Sequence, residues 1–185
     1  FMMQHKTLLK FLIAALIIVL ISSTIINPAI GQMEPRLIWR KNLGNKAAGV
    51  CWSPDGEKLI VVGDFGTIVL SSKGVILWKT SPSSDSPSVS PNGKYLATTN
   101  VGKTLYVYSL SDGTKIWEKS ISGVLAVRWS PDGNYLVVTS VGQTFFFRRY
   151  GVLALYRWTN GVGVQEWEVE IAGDEIRGID FHPNG

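Results

Sequence analysis

One four-residue turn recurs along this chain, as Ser53-Pro54-Asp55-Gly56, Ser90-Pro91-Asn92-Gly93, Ser130-Pro131-Asp132-Gly133 and His182-Pro183-Asn184-Gly185. The four glycines (Gly56, Gly93, Gly133 and Gly185) stand 37, 40 and 52 residues apart. A second marker keeps the same beat: Trp39, Trp78, Trp117 and Trp167 are spaced by 39, 39 and 50 residues. Two independent markers in step define an internal repeat with a period near 40. The turn has a backbone reason for its composition. Pro presets φ near about −65°, Asp or Asn tolerates the next position, and Gly takes the left-handed one that returns the chain.

Between these markers the pattern is strand throughout. Val124–Trp129 reads as the first, inner strand of the third repeat, and Tyr135–Thr139 as the second, rich in β-branched and aromatic residues. A Gly turn follows at Val141-Gly142, matching Val101-Gly102 and Phe65-Gly66. In the second repeat Thr104–Ser109 is the third strand and Lys115–Lys119 the fourth, outer one. Four short antiparallel strands per period predict a propeller blade. The fold class expected is therefore all-β, an incomplete propeller of about three and a half four-stranded blades. One hydrophobic N-terminal helix precedes it.

The stretch Trp129-Ser130-Pro131-Asp132-Gly133-Asn134-Tyr135-Leu136 resembles the repeat of Trp-Asp (WD) proteins. The naming dipeptide is absent, since Tyr108-Ser109 and Tyr156-Arg157 hold its place. Ser111-Asp112-Gly113-Thr114-Lys115-Ile116-Trp117 is similar to the repeat of quinoprotein-type propellers, in which a rim Trp docks onto the neighbouring blade. The resemblance covers roughly residues 37 to 185 and implies architecture, because its motifs are turn and packing motifs.

The chain has 185 residues and begins with Phe1. It ends on the glycine of a repeat that has only begun, so it reads as part of a longer protein. Lys6 and Lys10 precede an apolar run, Phe11 to Ile26, and Ala29-Ile30-Gly31 follows it. That arrangement predicts a secretory signal or, counted from Leu8, a retained membrane anchor. Under either reading the lysines stay inside and the repeats lie outside the cytoplasm. The domains expected are 1–31 signal or anchor, 32–36 linker and 37–185 blades. Net charge is +4, half of it from Lys6 and Lys10, so the charge carries no argument for nucleic acid. Cys51 is the sole cysteine, with Ser88, Arg128 and Asp180 at the same repeat position. It reads as a small strand side chain, because the two histidines, His5 and His182, lie in the leader and a turn.

The four tryptophans, one per repeat at one strand position, are expected to pack between blades. Asp55, Asn92, Asp132 and Asn184 are turn formers rather than cation ligands. Glu166, Glu168 and Glu170 alternate on one strand face as a solvated edge that discourages aggregation. Gly161-Val162-Gly163 is too short for a phosphate loop. Arg128 is expected to pair with an acid such as Asp180. Eight extra residues between Gly142 and Leu153 break the period and include Phe145, Phe146, Phe147, Arg148, Arg149 and Tyr150. In the families resembled, this loop opens on the binding face. Phe146, Arg148, Arg149 and Tyr150 are thus the candidate ligand-binding loop, by cation–π and bidentate contacts.

No nucleophile–base pair, metal cluster or phosphate loop stands out, so no catalytic, cofactor or metal residue is assigned. The expected function is an extracytoplasmic, non-enzymatic scaffold that binds protein partners on a propeller face. It would touch the membrane through the N-terminal segment where that is uncleaved. The alternatives are a quinoprotein-type redox enzyme or a propeller appended to a catalytic domain. An open arc leaves strand edges unpaired. Residues 32–185 alone should therefore self-associate in sedimentation velocity, and a cooperative monomeric melt would refute this.

Overall fold

The repeated turn is built by its own side chains. In the first copy Ser53 Oγ donates to Asp55 and accepts the Lys58 N–H at 2.9 Å, while Gly56 N–H returns to Ser53 O at 2.9 Å. Gly56, Gly93 and Gly133 all take left-handed φ, 72°, 67° and 73°. The Ser130 hydroxyl and then the Asn134 N–H lower the Asp132 carboxyl below its usual range, and Ser53 and the Glu57 N–H do the same for Asp55. Chain reversal is thus locally specified.

The computed structural model describes residues 36–183, apart from 101, 144–148, 174 and 177. The chain divides into two units, Phe1–Ile38 and Trp39–Gly185. The expected N-terminal helix and Gly185 lie outside the described residues. Among the described residues, the second unit carries twelve strands in three antiparallel sheets. Blade 1 is β1 (Ala47–Trp52), β2 (Lys58–Gly63), β3 (Gly66–Ser71) and β4 (Ile76–Thr80). Blade 2 is β5 (Asp85–Val89), β6 (Tyr95–Asn100), β7 (Thr104–Ser109) and β8 (Lys115–Ser120). Blade 3 is β9 (Val124–Trp129), β10 (Tyr135–Gln143), β11 (Arg149–Thr159) and β12 (Val162–Ile171). Each sheet is ordered as its strands follow in sequence, so the all-β, four-stranded propeller expectation holds.

The core lies between blades rather than within them. Ile60, Val62 and Val69 of blade 1 pack with Leu96 and Leu110 of blade 2. Leu105 and Val107 of blade 2 pack with Val127, Leu136 and Val138 of blade 3. Residue Val61, pointing the other way, joins Ile68 and Leu70 on the opposite face of blade 1. Second and third strands therefore have both faces covered, which is why they read as near-continuous apolar runs.

Two kinds of polar link tie one blade to the next. At the rim, Trp39 Nε1 donates to Ser72 O and Trp78 Nε1 donates to Leu110 O, both at 3.0 Å. Their rings lie on Gly74 and Gly113, where a Cβ would sit 2.9 and 2.7 Å from the indole. Trp117 docks in the same sense on Gly163, beside Tyr156 and Trp158. Its acceptor surface is displaced because Asn160-Gly161, with φ 51° and 82°, forms a tight two-residue hairpin in blade 3. Near the axis, Ser88 Oγ accepts the Trp129 N–H at 3.0 Å. Ser88, in the sequence column of Cys51, is thus a stitch between inner strands.

A bulge precedes the rim Trp in every blade. Trp78 pairs with Val69 but Ile76 with Leu70, skipping Leu77. Ile116 and Glu166 are skipped in the same way ahead of Trp117 and Trp167. The bulge changes the alternation so that the indole faces the following blade and the residue before it is turned out. Trp167 faces away from blade 2 by the same rule and is 45% exposed.

Gly113→Ala and Gly93→Ala separate docking from backbone strain. Both positions have positive φ, but Gly93 has nothing within 4 Å of an added Cβ. Unfolding free energies from denaturant melts should fall by about 1 kcal/mol for Gly93→Ala and by about 2–4 kcal/mol for Gly113→Ala. Equal losses would mean that the Trp78 contact contributes nothing.

Candidate functional site

The described part of the blade 3 insertion extends the sheet. The β10–β11 ladder continues through Thr139↔Leu153, Ser140↔Val152, Val141↔Gly151 and Gly142↔Tyr150 to Gln143↔Arg149. Blade 2 stops its equivalent hairpin at Asn100↔Thr104. The turn expected at Val141-Gly142 is therefore absent, and both residues lie inside β10. The reason is steric and local. An added Cβ on Gly142 would sit 2.2 Å from Tyr150 Cζ, so the bare glycine accepts the cross-strand ring and lets pairing run on. Phe146 and Arg148 of the predicted loop lie outside the described residues, as do Phe145 and Phe147.

A cleft of about 720 Å³ opens at the base of this hairpin. Gly102 and the β8–β9 turn, Ser122-Gly123, supply the blade 2 wall, and Arg149, Tyr150, Glu168 and Glu175 the other. Arg149 Nη1 lies 3.3 Å from Glu175 Oε1. The charge of Glu170, then burial and a hydrogen bond to Glu170, raise the Tyr150 phenol above its usual value. Of the three glutamates predicted to share a face, Glu166 departs, because it is the bulged residue and pairs with Arg157 at 2.8 Å. Glu168 stays beside Gln165, whose Nε2 donates to it at 3.2 Å. The bulge, invisible to simple alternation, divides the row.

Arg128 also departs from expectation. Its Nη1 donates to Val127 O at 2.8 Å and Ser86 Oγ at 3.2 Å rather than meeting Asp180. The Asp180 carboxylate accepts the Phe181 N–H at 2.9 Å. Sequence reasoning missed Ser86, which has φ 44° and whose hydroxyl also accepts the Val127 N–H at 3.2 Å. A residue that acts on the following blade carries no local signal.

The cleft offers an arginine, carboxylates and a phenol, which suits hydrogen-bonded recognition of a polar chain. Among the described residues no group of three or more His, Cys, Asp or Glu is gathered as a metal site. Trp39, Trp78 and Trp117 provide no stacking platform for a quinone cofactor. Such a group needs an indole to stack on in the channel, whereas Trp39, Trp78 and Trp117 lie at the rim against Gly74, Gly113 and Gly163. Burial pushes the Cys51 thiol up to about 11, against smaller opposing effects of Arg128 and the Val89 N–H.

The fold and the repeated rim docking define a WD-like, quinoprotein-like β-propeller. Residues 28–179 match the family model of the outer membrane protein assembly factor BamB, and the chain belongs to that family. Among solved structures, it is similar to a protein of the mitotic checkpoint complex, at 13% identity and TM-score 0.60, covering 71% of this chain and 43% of that one. The Myceliophteria thermophila Cps50 (Swd1) β-propeller domain matches at 18% identity and TM-score 0.57, covering 71% and 42%. At these identities the likeness shows the fold alone, and this chain spans less than half of either structure's length. No curated protein matches the sequence.

Cys51 gives this geometry a pH signature. With the folded thiol near 11 and its ordinary value at 9.0, the neutral buried form stabilises the fold fully below pH 9.0. That contribution declines as pH rises through about 11. Alkylation at pH 8 should be about a hundredfold slower in the folded than in the unfolded chain. Matching rates would place the thiol in solvent.

Proposed function

We propose that this chain is an extracytoplasmic, non-enzymatic scaffold that holds a protein partner in the cleft beneath the β10–β11 hairpin. The observation that carries this reading is that one blade of a regular series departs from its repeat, and that the cleft lies where it does. Blades 1 and 2 end their central hairpins at Gly63↔Gly66 and Asn100↔Thr104, whereas blade 3 runs on to Gln143↔Arg149. A longer hairpin at one inter-blade groove gives a partner a unique address on an otherwise periodic surface. Arg149 and the carboxylates beside it favour a peptide with charged side chains of both signs over nucleic acid.

Lys6 and Lys10 ahead of the apolar run support export of the repeats, as a cleaved or anchored chain. The family description supports a role in assembling membrane proteins. In that role the propeller would present the partner rather than transform it.

Grafting the blade 2 turn Asn100–Thr104 in place of residues 140–152 tests the reading in the full chain. The graft should keep the wild-type melt to within a few degrees yet lose the crosslinks formed in cells by a photoreactive side chain at Ser122. Retained crosslinks would overturn the cleft assignment. An inactive C-terminal alkaline phosphatase fusion would overturn export.

A further inference from the structure

We propose that the outer rim of blade 1 binds an anionic membrane surface. Three consecutive aliphatic residues, Val75, Ile76 and Leu77, enter β4 at 59, 40 and 47% exposure. The bulge ahead of Trp78 turns Leu77 outwards, and β4 is the edge of its sheet. A run of exposed aliphatics on an edge strand is a liability in water unless something apolar meets it.

The charges around it choose the occupant. Lys73 and Lys79 bracket the run, and both are exposed. Trp39, stacked on Gly74 and bonded to Ser72 O, brings Arg40 and Lys41 to the same rim. No acidic residue lies in 39–43 or 72–80. None of the four cations is ion-paired with a described residue. The corresponding strand of blade 3 also exposes aliphatics, Val164, Val169 and Ile171, but carries the opposite charge, with Glu166, Glu168 and Glu170 on β12. Aliphatics entering the headgroup layer while lysine and arginine meet lipid phosphates is the chemistry of interfacial binding. A membrane carrying negative charge attracts one pole of this rim and repels the other, so it both holds and orients the propeller. A protein partner for the same strip would need to be acidic and apolar together, whereas an anionic bilayer has both properties everywhere. Trp39 also follows the apolar run ending at Ile26 closely in sequence, and that run is itself predicted to meet a membrane. The inference stands apart from the cleft, because a graft that abolishes partner crosslinks leaves blade 1 unchanged.

The test places one bimane label on the full chain, in a Cys51→Ser background, at Ile76→Cys or at Glu168→Cys. Vesicles of phosphatidylcholine, with or without phosphatidylglycerol, carry a nitroxide lipid as quencher. The label at 76 should be quenched on anionic vesicles, far less on neutral ones, and less again at high salt. The label at 168 should stay bright. Lys73→Glu with Lys79→Glu should cut quenching at 76 by roughly fivefold or more. Equal quenching at both positions, quenching at 76 indifferent to lipid charge, or none at all would each overturn the proposal.

Discussion

Each blade of this protein is completed by its neighbour. The indole N–H of Trp39 or Trp78 reaches a backbone carbonyl of the next sheet, and its ring covers a glycine there. Without those contacts a single four-stranded sheet would present two apolar faces to water, Ile60 and Val62 on one side and Val61 and Ile68 on the other. Stability is therefore carried by interfaces, as in other repeat proteins, and each repeat needs the next. The inner-strand stitch made by Ser88 acts from the axis, so blades 2 and 3 are gripped at both ends of the radius. Thr99 adds a third link, donating to Leu125 O at 3.3 Å across the same boundary.

Most of this frame is legible in the sequence because its rules are local. A Ser-Pro-Asp-Gly turn can be read within four residues, and its glycine needs a left-handed φ wherever it stands. Strand order follows from the turns. What is not legible is whatever depends on a partner distant in sequence. The extended β10–β11 hairpin reads as a loop because Gly142 stands where two earlier glycines made turns; only the Tyr150 ring across from it reveals a strand glycine. Arg128 reads as half of an ion pair, whereas Ser86 and a carbonyl take its donors. The roles of Glu166 and Glu168 diverge at a bulge that simple alternation does not reveal. The candidate site was thus legible as a break in period, and its geometry was not.

Regularity and irregularity divide the labour in this fold. Positions that repeat, such as Gly56, Gly93 and Gly133, do the same mechanical task three times over, and specific chemistry there would have to occur three times too. Blade 3 keeps those positions while lengthening β10, β11 and β12, so its frame docks normally on blade 2 and its excess projects beside the cleft. Such an addition costs the core little, since Val127, Leu136 and Val138 remain buried, as Leu96 does at the matching position of blade 2.

The repeated bulge connects these two aspects. If β12 paired with β11 without it, Trp167 would oppose Ala154, which faces blade 2, and Glu168 would turn the other way. Skipping Glu166 restores Trp167 to the side on which Trp78 and Trp117 dock, and at the same time puts Glu168 into the cleft wall. The same device in blades 1 and 2 turns out Leu77 and Ile116 instead of a glutamate. One backbone irregularity, required for docking, therefore creates an outward position in every blade whose side chain the packing does not dictate. Aliphatic in two blades and acidic in the third, that position is where the rim acquires different characters on a frame that otherwise repeats.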